Sequence, residues 1–558
     1  MNTALNYLRE KIKLINFRFP VLSLILVIPN TISLFAPNFI WPQLKSNFIF
    51  PIAQDSFHYF ARVNSILLGN LTINNPYFQG KYNGLGGYSF LGEYWHAFLS
   101  SITGSIKLGY ILYVTIFVLL TYNLTRSIFK IYLVKNRLAS FTFIAVSFYF
   151  FPWWYLRPVA PSTGITLYLA IIMISHRIIQ NPSIARNWYF LSCVLGLAWL
   201  AQPIIAITIF LIFIFLVLLN FKNLNIQYLI WINIVINLVS TSIWYFTVNR
   251  PGDITIKETL WRSGLIDSRF PGGVNGIVLG TIVIILYIII MKICKFKHTS
   301  IYLMPAILCC TFLGMNHQVF TAKHGYNSSY GLNLVYITSF IMVIIFLNIL
   351  CERAGKFNNI LNLLIVVTIA LNIVNYVGYI KELKSNVPLN LASISNFLTE
   401  SEYFNKNDIK VVASSPLVSS QIAIYTNDKS LFSKEGTIFY PVSNLEIIER
   451  ALLNDYLFDK LSPTASFTEA LFDSHFNNLR GRFYLDNQAK LTLINSELTF
   501  WTSKVTESAS LIQKNPEEYI KKFKLDGVLY NSSISFNKLN LCSNIYYDPF
   551  FNICALKH

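Results

Sequence analysis

The first 380 residues of this chain contain very little acid. Seven carboxylates occur there: Glu10, Asp55, Glu93, Asp253, Glu258, Asp267 and Glu352. Over the whole chain only 13% of residues are charged, 54% are hydrophobic, and the mean hydropathy is +0.49. Average soluble domains carry about 25% charged residues. The composition therefore excludes an ordinary soluble globular protein and predicts a chain that is largely embedded in a membrane.

Several motifs of common functional classes are also missing. The chain has no glycine-rich phosphate loop, no internal repeat and no pair of histidines at metal-ligand spacing. An apolar run follows the basic N-terminal stretch without an A-x-A-like cleavage site, so we interpret it as a first span. Five of the seven cysteines lie in or beside apolar runs, where they behave as small apolar residues. The other two, Cys542 and Cys554, either form a disulfide across a hairpin or are free thiols, and the sequence does not distinguish these alternatives.

Apolar runs long enough to cross a bilayer, about 17–25 residues, recur through the first 380 residues. We predict spans near 19–35, 108–125, 139–155, 163–178, 188–201, 204–220, 227–247, 274–291, 299–315, 331–350 and 358–380. Gln202-Pro203 separates two of them and is either a tight turn or a kink in one long helix.

The formal charge of +18 is concentrated in the part that holds these spans. Residues 1–380 contain 26 Lys and Arg against seven acids, whereas residues 381–558 contain 18 against 19. Basic clusters precede the first span and lie in alternate connections, as the positive-inside rule requires when the N-terminus is inside. The charge thus reports membrane topology, and we expect no nucleic acid partner.

With this topology the polar residues concentrate on the outer side. Asp55, Glu93, Asp253, Glu258 and Asp267 all fall in outer segments. Four outer segments are rich in polar and aromatic residues: 36–107, 153–164, 249–273 and 316–330. An active surface is therefore expected to face outward.

The segment PIAQDSFHYFARV, residues 51–63, predicts an amphipathic helix in the first outer loop. Asp55, His58, Tyr59 and Arg62 are spaced by three, four and seven residues and share one face. The opposite face is apolar and contains Phe57, Phe60, Ala61, Leu67 and Leu68. Two readings remain open: the polar face carries chemistry, or Asp55 only caps the helix and pairs with Arg62 at a wet membrane surface.

The last 178 residues predict a separate α/β domain. Strands are expected at 409–413, 526–530 and 552–556, where β-branched residues cluster. A helix is expected after the cap Asn515, with Pro516 in its first turn. The predicted organisation is therefore a transmembrane domain at 1–380 and an extracytoplasmic α/β domain at 381–558.

This architecture resembles the GT-C superfamily of membrane glycosyltransferases. The stretches that carry the resemblance are DSFHYFAR at 55–62, RPVAPS at 157–162 and NHQVFTAKH at 316–324. The resemblance implies a multi-pass protein of the bacterial plasma membrane with a GT-C-like catalytic domain. It also implies transfer of a sugar from a polyprenyl-phosphate donor to a glycan, lipid or protein acceptor outside the cytoplasm. Ser56 follows Asp55 where many relatives carry a second carboxylate, which leaves dependence on a divalent metal open; no other cofactor is expected.

Glycosyl transfer from a lipid phosphate requires a base for the acceptor and cations for the leaving phosphate. Asp55 is the expected base. The expected substrate-binding residues are His58, Tyr59, Arg62, Glu93, Arg157, His317, Lys323 and His324. Arg157 has an alternative role as an interfacial arginine beside Trp153, Trp154 and Tyr155. His58, His96 and His317 have the alternative of binding a metal with Asp55, although no ligand spacing supports it.

Other classes of membrane protein compete with this hypothesis. A transporter of glycolipid would be expected to carry ionisable residues at mid-membrane and repeated halves, neither of which occurs. A membrane polysaccharide polymerase or ligase also has large outer loops and is harder to separate. A polymerase or ligase is therefore the alternative to a glycosyltransferase that uses an aspartate of the first outer loop as its base.

Overall fold

The structure, a computed structural model, describes most of the chain. The described residues are 56–70, 75–78, 91–132, 134, 138–150, 160–220, 227–248, 254–262, 274–293, 302–317, 327–352, 357–386, 389–404, 409–438, 440–481, 487–533 and 536–557.

The first two-thirds of the described chain is helical. Its helices are α1 Ser56–Leu67, α2 Leu91–Thr103, α3 Ile106–Ile131, α4 Leu138–Phe150, α5 Ala160–Gln180, α6 Ala185–Ala201, α7 Pro203–Asn220, α8 Gln227–Val248, α9 Ile254–Arg262, α10 Val274–Ile293, α11 Leu303–Met315, α12 Asn327–Glu352 and α13 Phe357–Asn386. Each predicted span from 108 onward overlaps one of these helices, although 151–155 and 299–301 lie outside the described residues, as does the run at 19–35. Gln202 is the single extended residue between α6 and α7, so the chain forms two helices there.

Four of these helices contain segments long and apolar enough to cross a membrane: Ile106–Ile131, Thr163–Gln180, Gly276–Ile293 and Leu332–Ile349. Five more helices contain shorter apolar segments, of 10–17 residues. A mainly helical, membrane-type architecture is thereby confirmed in its coarse form.

Buried hydroxyl groups tie the helices together in the interior. The Tyr168 hydroxyl of α5 lies 2.8 Å from Thr311 Oγ1 of α11 and 2.5 Å from Thr338 Oγ1 of α12. Such bonds satisfy polar groups where no water is at hand and fix the helices relative to one another. The helices therefore form a packed unit that can hold the loops at its end in place.

The C-terminal part adds a five-stranded sheet to a second set of helices. The strands are β1 Val411–Ala413, β2 Lys429–Ser430, β3 Leu525–Asn531, β4 Cys542–Tyr547 and β5 Phe551–Leu556, in the order β2-β1-β3-β5-β4. β1 runs parallel to β2 and β3, and β5 runs antiparallel to β3 and β4. The helices are α14 Leu389–Glu400, α15 Pro416–Tyr425, α16 Lys434–Ile438, α17 Asn444–Leu457, α18 Ala465–Leu471, α19 Asp473–Gly481, α20 Asn487–Lys514 and α21 Pro516–Lys522.

Three strands confirm the sequence prediction and two were missed. The three predicted strands correspond to β1, β3 and β5, whereas β2 is too short and β4 too exposed to give a sequence signal. α21 begins at Pro516 as predicted, but Asn515 makes no side-chain capping bond. Cys542 and Cys554 form a disulfide between β4 and β5, with their Cα atoms 5.3 Å apart. The pairing decides the alternative that the sequence left open.

Candidate functional site

The polar face of α1 points into the protein. His58 and Arg62 are each 2% exposed, and Tyr59 is also buried. Phe60 and Ala61, predicted for the opposite face, are buried as well, and Leu67 and Leu68 at the end of the helix are exposed. The helix at this position is confirmed, but the reading in which its polar face wets a membrane surface is wrong. Other parts of the chain cover that face.

An ion pair between α1 and α2 forms the centre of the site. Arg62 Nη1 lies 2.9 Å from Glu93 Oε1, and the Glu93 side chain is fully buried. Among the described residues the second oxygen, Oε2, has no hydrogen-bond partner. Burial raises the pKa of Glu93 to about 7, against the opposing effect of the Arg62 guanidinium. The carboxyl can therefore change its charge near neutral pH.

Aromatic rings surround His58. Its ring centroid lies 5.4 Å from that of Tyr59, 6.5 Å from Tyr77 and 5.6 Å from Tyr440. Burial, assisted by the nearby Arg62, holds the pKa of His58 well below its usual value. The imidazole is thus neutral at neutral pH, with one ring nitrogen that donates and one that accepts hydrogen bonds.

The short segment 75–78 links this cluster to the C-terminal sheet. The backbone N–H of Ser430 donates to the Tyr77 carbonyl at 2.7 Å, which extends the β2 edge by one bond. The Lys429 ammonium donates to the Pro76 carbonyl at 3.2 Å. The rings of Tyr77 and its neighbour Phe78 are fully buried at this contact. The first loop and the C-terminal part therefore share one packed interior.

A second loop reaches the same part of the C-terminal region through Arg262, the last residue of α9. Its guanidinium donates to Asn444 Oδ1 at 2.7 Å, to the Thr437 carbonyl at 3.1 Å and to the Tyr440 carbonyl at 3.3 Å. Burial lowers the pKa of Arg262 to about 9. Glu258 Oε2 accepts from the backbone N–H of Asn444 at 2.7 Å, at the first residue of α17. These bonds fix the backbone on both sides of Tyr440.

Tyr440 is the residue by which the C-terminal region enters the cluster. Its side chain is fully buried, and its hydroxyl has no hydrogen-bond partner among the described residues. Burial raises the pKa of Tyr440, and the charges of Arg62 and Glu93 both act on it. The hydroxyl is consequently a polar group available to a ligand next to the ion pair.

The two other histidines considered from sequence have local partners. His96 Nε2 lies 3.0 Å from the Ile106 carbonyl, its ring packs on Phe60 and Tyr110, and burial lowers its pKa to about 4. His317 lies just beyond the end of α11, with Nδ1 3.2 Å from the Gly314 carbonyl. Where the structure describes the chain, no group of three or more His, Cys, Asp or Glu side chains is arranged to hold a metal ion.

Four expected site residues lie outside the described residues: Asp55, Arg157, Lys323 and His324. Asp55 directly precedes Ser56, the first residue of α1, in the sequence. Of the other expected residues, the structure brings His58, Arg62 and Glu93 into one buried cluster with Tyr59 beside it.

Sequence reasoning missed Tyr440 and Arg262. Arg262 had a local signal, because Glu258 precedes it by four residues in a loop already identified as polar. Tyr440 had none, since its role depends on contacts with residues more than 300 positions away.

No protein-family model matches this chain, and a search of curated proteins finds no match to it. The candidate site is therefore interpreted from its own geometry.

Proposed function

We propose that this protein is a membrane glycosyltransferase that moves a sugar from a polyprenyl-phosphate donor to an acceptor on the extracytoplasmic face. Asp55 is the proposed general base. His58, Tyr59, Arg62 and Glu93 are proposed to line the substrate site. Arg157, His317, Lys323 and His324 are proposed to meet the donor phosphate.

The observation that carries the proposal is the buried ion pair between Glu93 of α2 and Arg62 of α1, which follows Asp55 by seven residues in the sequence. Removing two charges from water is costly, and replacing such a pair by apolar residues is often neutral or stabilising. A membrane protein with so few acids therefore has a reason other than stability to keep one there. Ionisable groups close to a membrane typically mark substrate sites.

The surroundings of the pair fit transfer chemistry. Neutral His58, the fully buried Glu93 and Tyr440, whose hydroxyl has no partner among the described residues, form a site where water is excluded. Electrostatic interactions with a developing phosphate charge are stronger in such a site than in water. Asp55, the proposed base for the acceptor hydroxyl, directly precedes α1 of this site in the sequence.

Two observations support the part of the proposed topology that places the C-terminal domain and the polar loops together outside the cytoplasm. The disulfide Cys542–Cys554 is typical of an oxidising compartment, which favours a C-terminal domain outside the cytoplasm. Contacts of 75–78 and α9 with 429–444 require both loops to lie on the same side of a membrane as that domain. These are the loops in which the outer carboxylates occur.

The donor half of the proposal is tested by the position of a bound lipid phosphate. The full-length protein in lipid nanodiscs is imaged by electron microscopy with and without added polyprenyl phosphate. We expect new phosphate density beside the first turn of α1, within reach of the Tyr440 hydroxyl. Density at the opposite ends of the helices, near Lys292, or no added density at saturating lipid would contradict the proposal.

A further inference from the structure

The amphipathic pattern of α2 is the reverse of that of a helix in a soluble protein. Its buried face carries the polar residues Glu93, His96 and Ser100 beside the apolar Ala97 and Leu99. Its exposed face carries large apolar ones, Trp95, Phe98 and Ile102, at spacings of three and four residues. The only other exposed residue of this helix is Ser101. The helix contains one acidic residue, Glu93, one histidine, and no lysine or arginine. Water is a poor environment for such a face.

The connection between α2 and α3 fixes where this face lies. Gly104, with φ +67°, turns the chain within two residues, and Ile106 begins α3, one of the four helices with membrane-crossing length. A Cβ on Gly109 would lie 2.6 Å from the Ser100 backbone, so α2 packs closely against the first turns of α3. Leu108, in the first turn of α3, is also exposed. The apolar face of α2 therefore continues into the lipid-facing surface of α3.

We propose that α2 lies in the outer leaflet, with Trp95, Phe98 and Ile102 inserted among the lipids at the boundary of headgroups and acyl chains. Trp95 at one end of this exposed face suits the position, because indole rings prefer the membrane interface. The same helix then carries Glu93 on its protein-facing side. The Arg62–Glu93 pair is thereby held near the depth of the lipid headgroups.

The exposed face of α2 contacts lipid rather than a protein partner, because this face is continuous with the exposed surface of α3, a helix of membrane-crossing length. A protein partner at this level would also have to cover part of the exposed surface of α3, which is the surface a bilayer occupies. The proposal holds independently of glycosyl transfer, since it depends only on burial and on the turn into α3.

Site-specific photocrosslinking in intact membranes tests the proposal. Phe98→p-benzoyl-phenylalanine is the test variant, and Phe500→p-benzoyl-phenylalanine in α20 is the matched control, because each phenylalanine is 53% exposed. After irradiation, mass spectrometry of the purified full-length protein identifies the adducts. We expect lipid adducts at position 98 in roughly tenfold excess over position 500. The native cysteines and the disulfide stay unchanged in both variants.

Three results would overturn the proposal. One is reaction at position 98 with a protein, which would indicate a protein interface. Another is the absence of adducts at position 98 while the protein still folds, which would indicate a water-facing surface. Equal lipid yields at the two positions would show that the exposed face of α2 is no closer to lipid than that of α20. Ile102→p-benzoyl-phenylalanine provides a second variant if the first fails to fold.

Discussion

Two buried arginines, Arg62 and Arg262, meet opposite surroundings in the same region of this protein. Arg262 donates to two carbonyls and an amide oxygen of the C-terminal region and so joins one loop to it. Arg62 is paired with a carboxylate, Glu93, whose Oε2 has no hydrogen-bond partner among the described residues. Hydrogen bonds from Arg262 to neutral acceptors in a fixed segment of the chain stabilise the contact between the loop and the C-terminal region. A charged pair with spare capacity makes a site that a ligand or a proton can complete.

The difference also explains why the C-terminal region is part of the candidate site. The α9 bonds hold residues 437–444, and this backbone presents Tyr440 to His58. Arg262 therefore holds Tyr440 beside His58 in the candidate site. We expect substitutions at the two arginines to separate stability from function.

The largest effect is expected from Arg262→Met. The variant loses four hydrogen bonds from a buried guanidinium, three of them to the C-terminal region, and takes this donor away from the Thr437 carbonyl and Asn444 Oδ1. Unfolding should therefore become easier by about 3 kcal/mol or more. Thermal unfolding in detergent, followed with limited proteolysis of the C-terminal region, measures the loss. Arg480→Met is the control, because Arg480 is half-exposed in a surface ion pair with Glu469 and should change stability little. Equal stability of the two variants would show that Arg262 is not a structural tie.

A smaller and pH-dependent effect is expected from Glu93→Gln. Burial raises the folded-state pKa of Glu93 from 4.5 to about 7, so the folded protein binds a proton that the unfolded chain releases. The contribution of Glu93 to stability is therefore present below pH 4.5 and is lost as the pH rises toward 7. Glutamine resembles the protonated carboxyl and removes this dependence. Relative to the variant, the wild type should lose up to about 3 kcal/mol across that window.

The comparison with the variant is needed because His58 acts in the opposite direction. Its pKa is lowered in the folded state, so it lowers stability as the pH falls below its unfolded value of 6.5. Unfolding temperatures of both proteins between pH 5 and pH 8 isolate the Glu93 contribution. Glu469→Gln is the control, since this half-exposed carboxylate lies in a surface pair. Parallel curves for wild type and Glu93→Gln would show that Glu93 does not exchange a proton in this range.

The sequence predicted local features of this molecule well and their surroundings poorly. The apolar runs predicted the helices, because a run's length and hydropathy are properties of the segment itself. The spacing of His58, Tyr59 and Arg62 predicted one helical face for the same reason. What covers that face comes from residues 75–78 and Tyr440, and no local pattern encodes contacts over such separations.

The same limit applies within the C-terminal sheet and in the first loop. β2 has two residues and forms only because β1 and Tyr77 supply its partners. Glu93 was expected to bind substrate, but its pairing with Arg62 follows from how α2 packs on α1. Tertiary packing thus decided the parts of the site that the residue pattern left open.

The central proposal is that Asp55 acts as the general base. It is tested most directly by the turnover of Asp55→Asn. The full-length protein is reconstituted in liposomes with a panel of polyprenyl-phosphate sugars and envelope glycan extract, and release of polyprenyl phosphate is measured. Loss of a general base typically lowers a rate by about 10²–10⁴-fold. We predict a loss of that size for Asp55→Asn at unchanged unfolding temperature, with full turnover for the surface control Asp473→Asn. Wild-type turnover by folded Asp55→Asn would contradict the account.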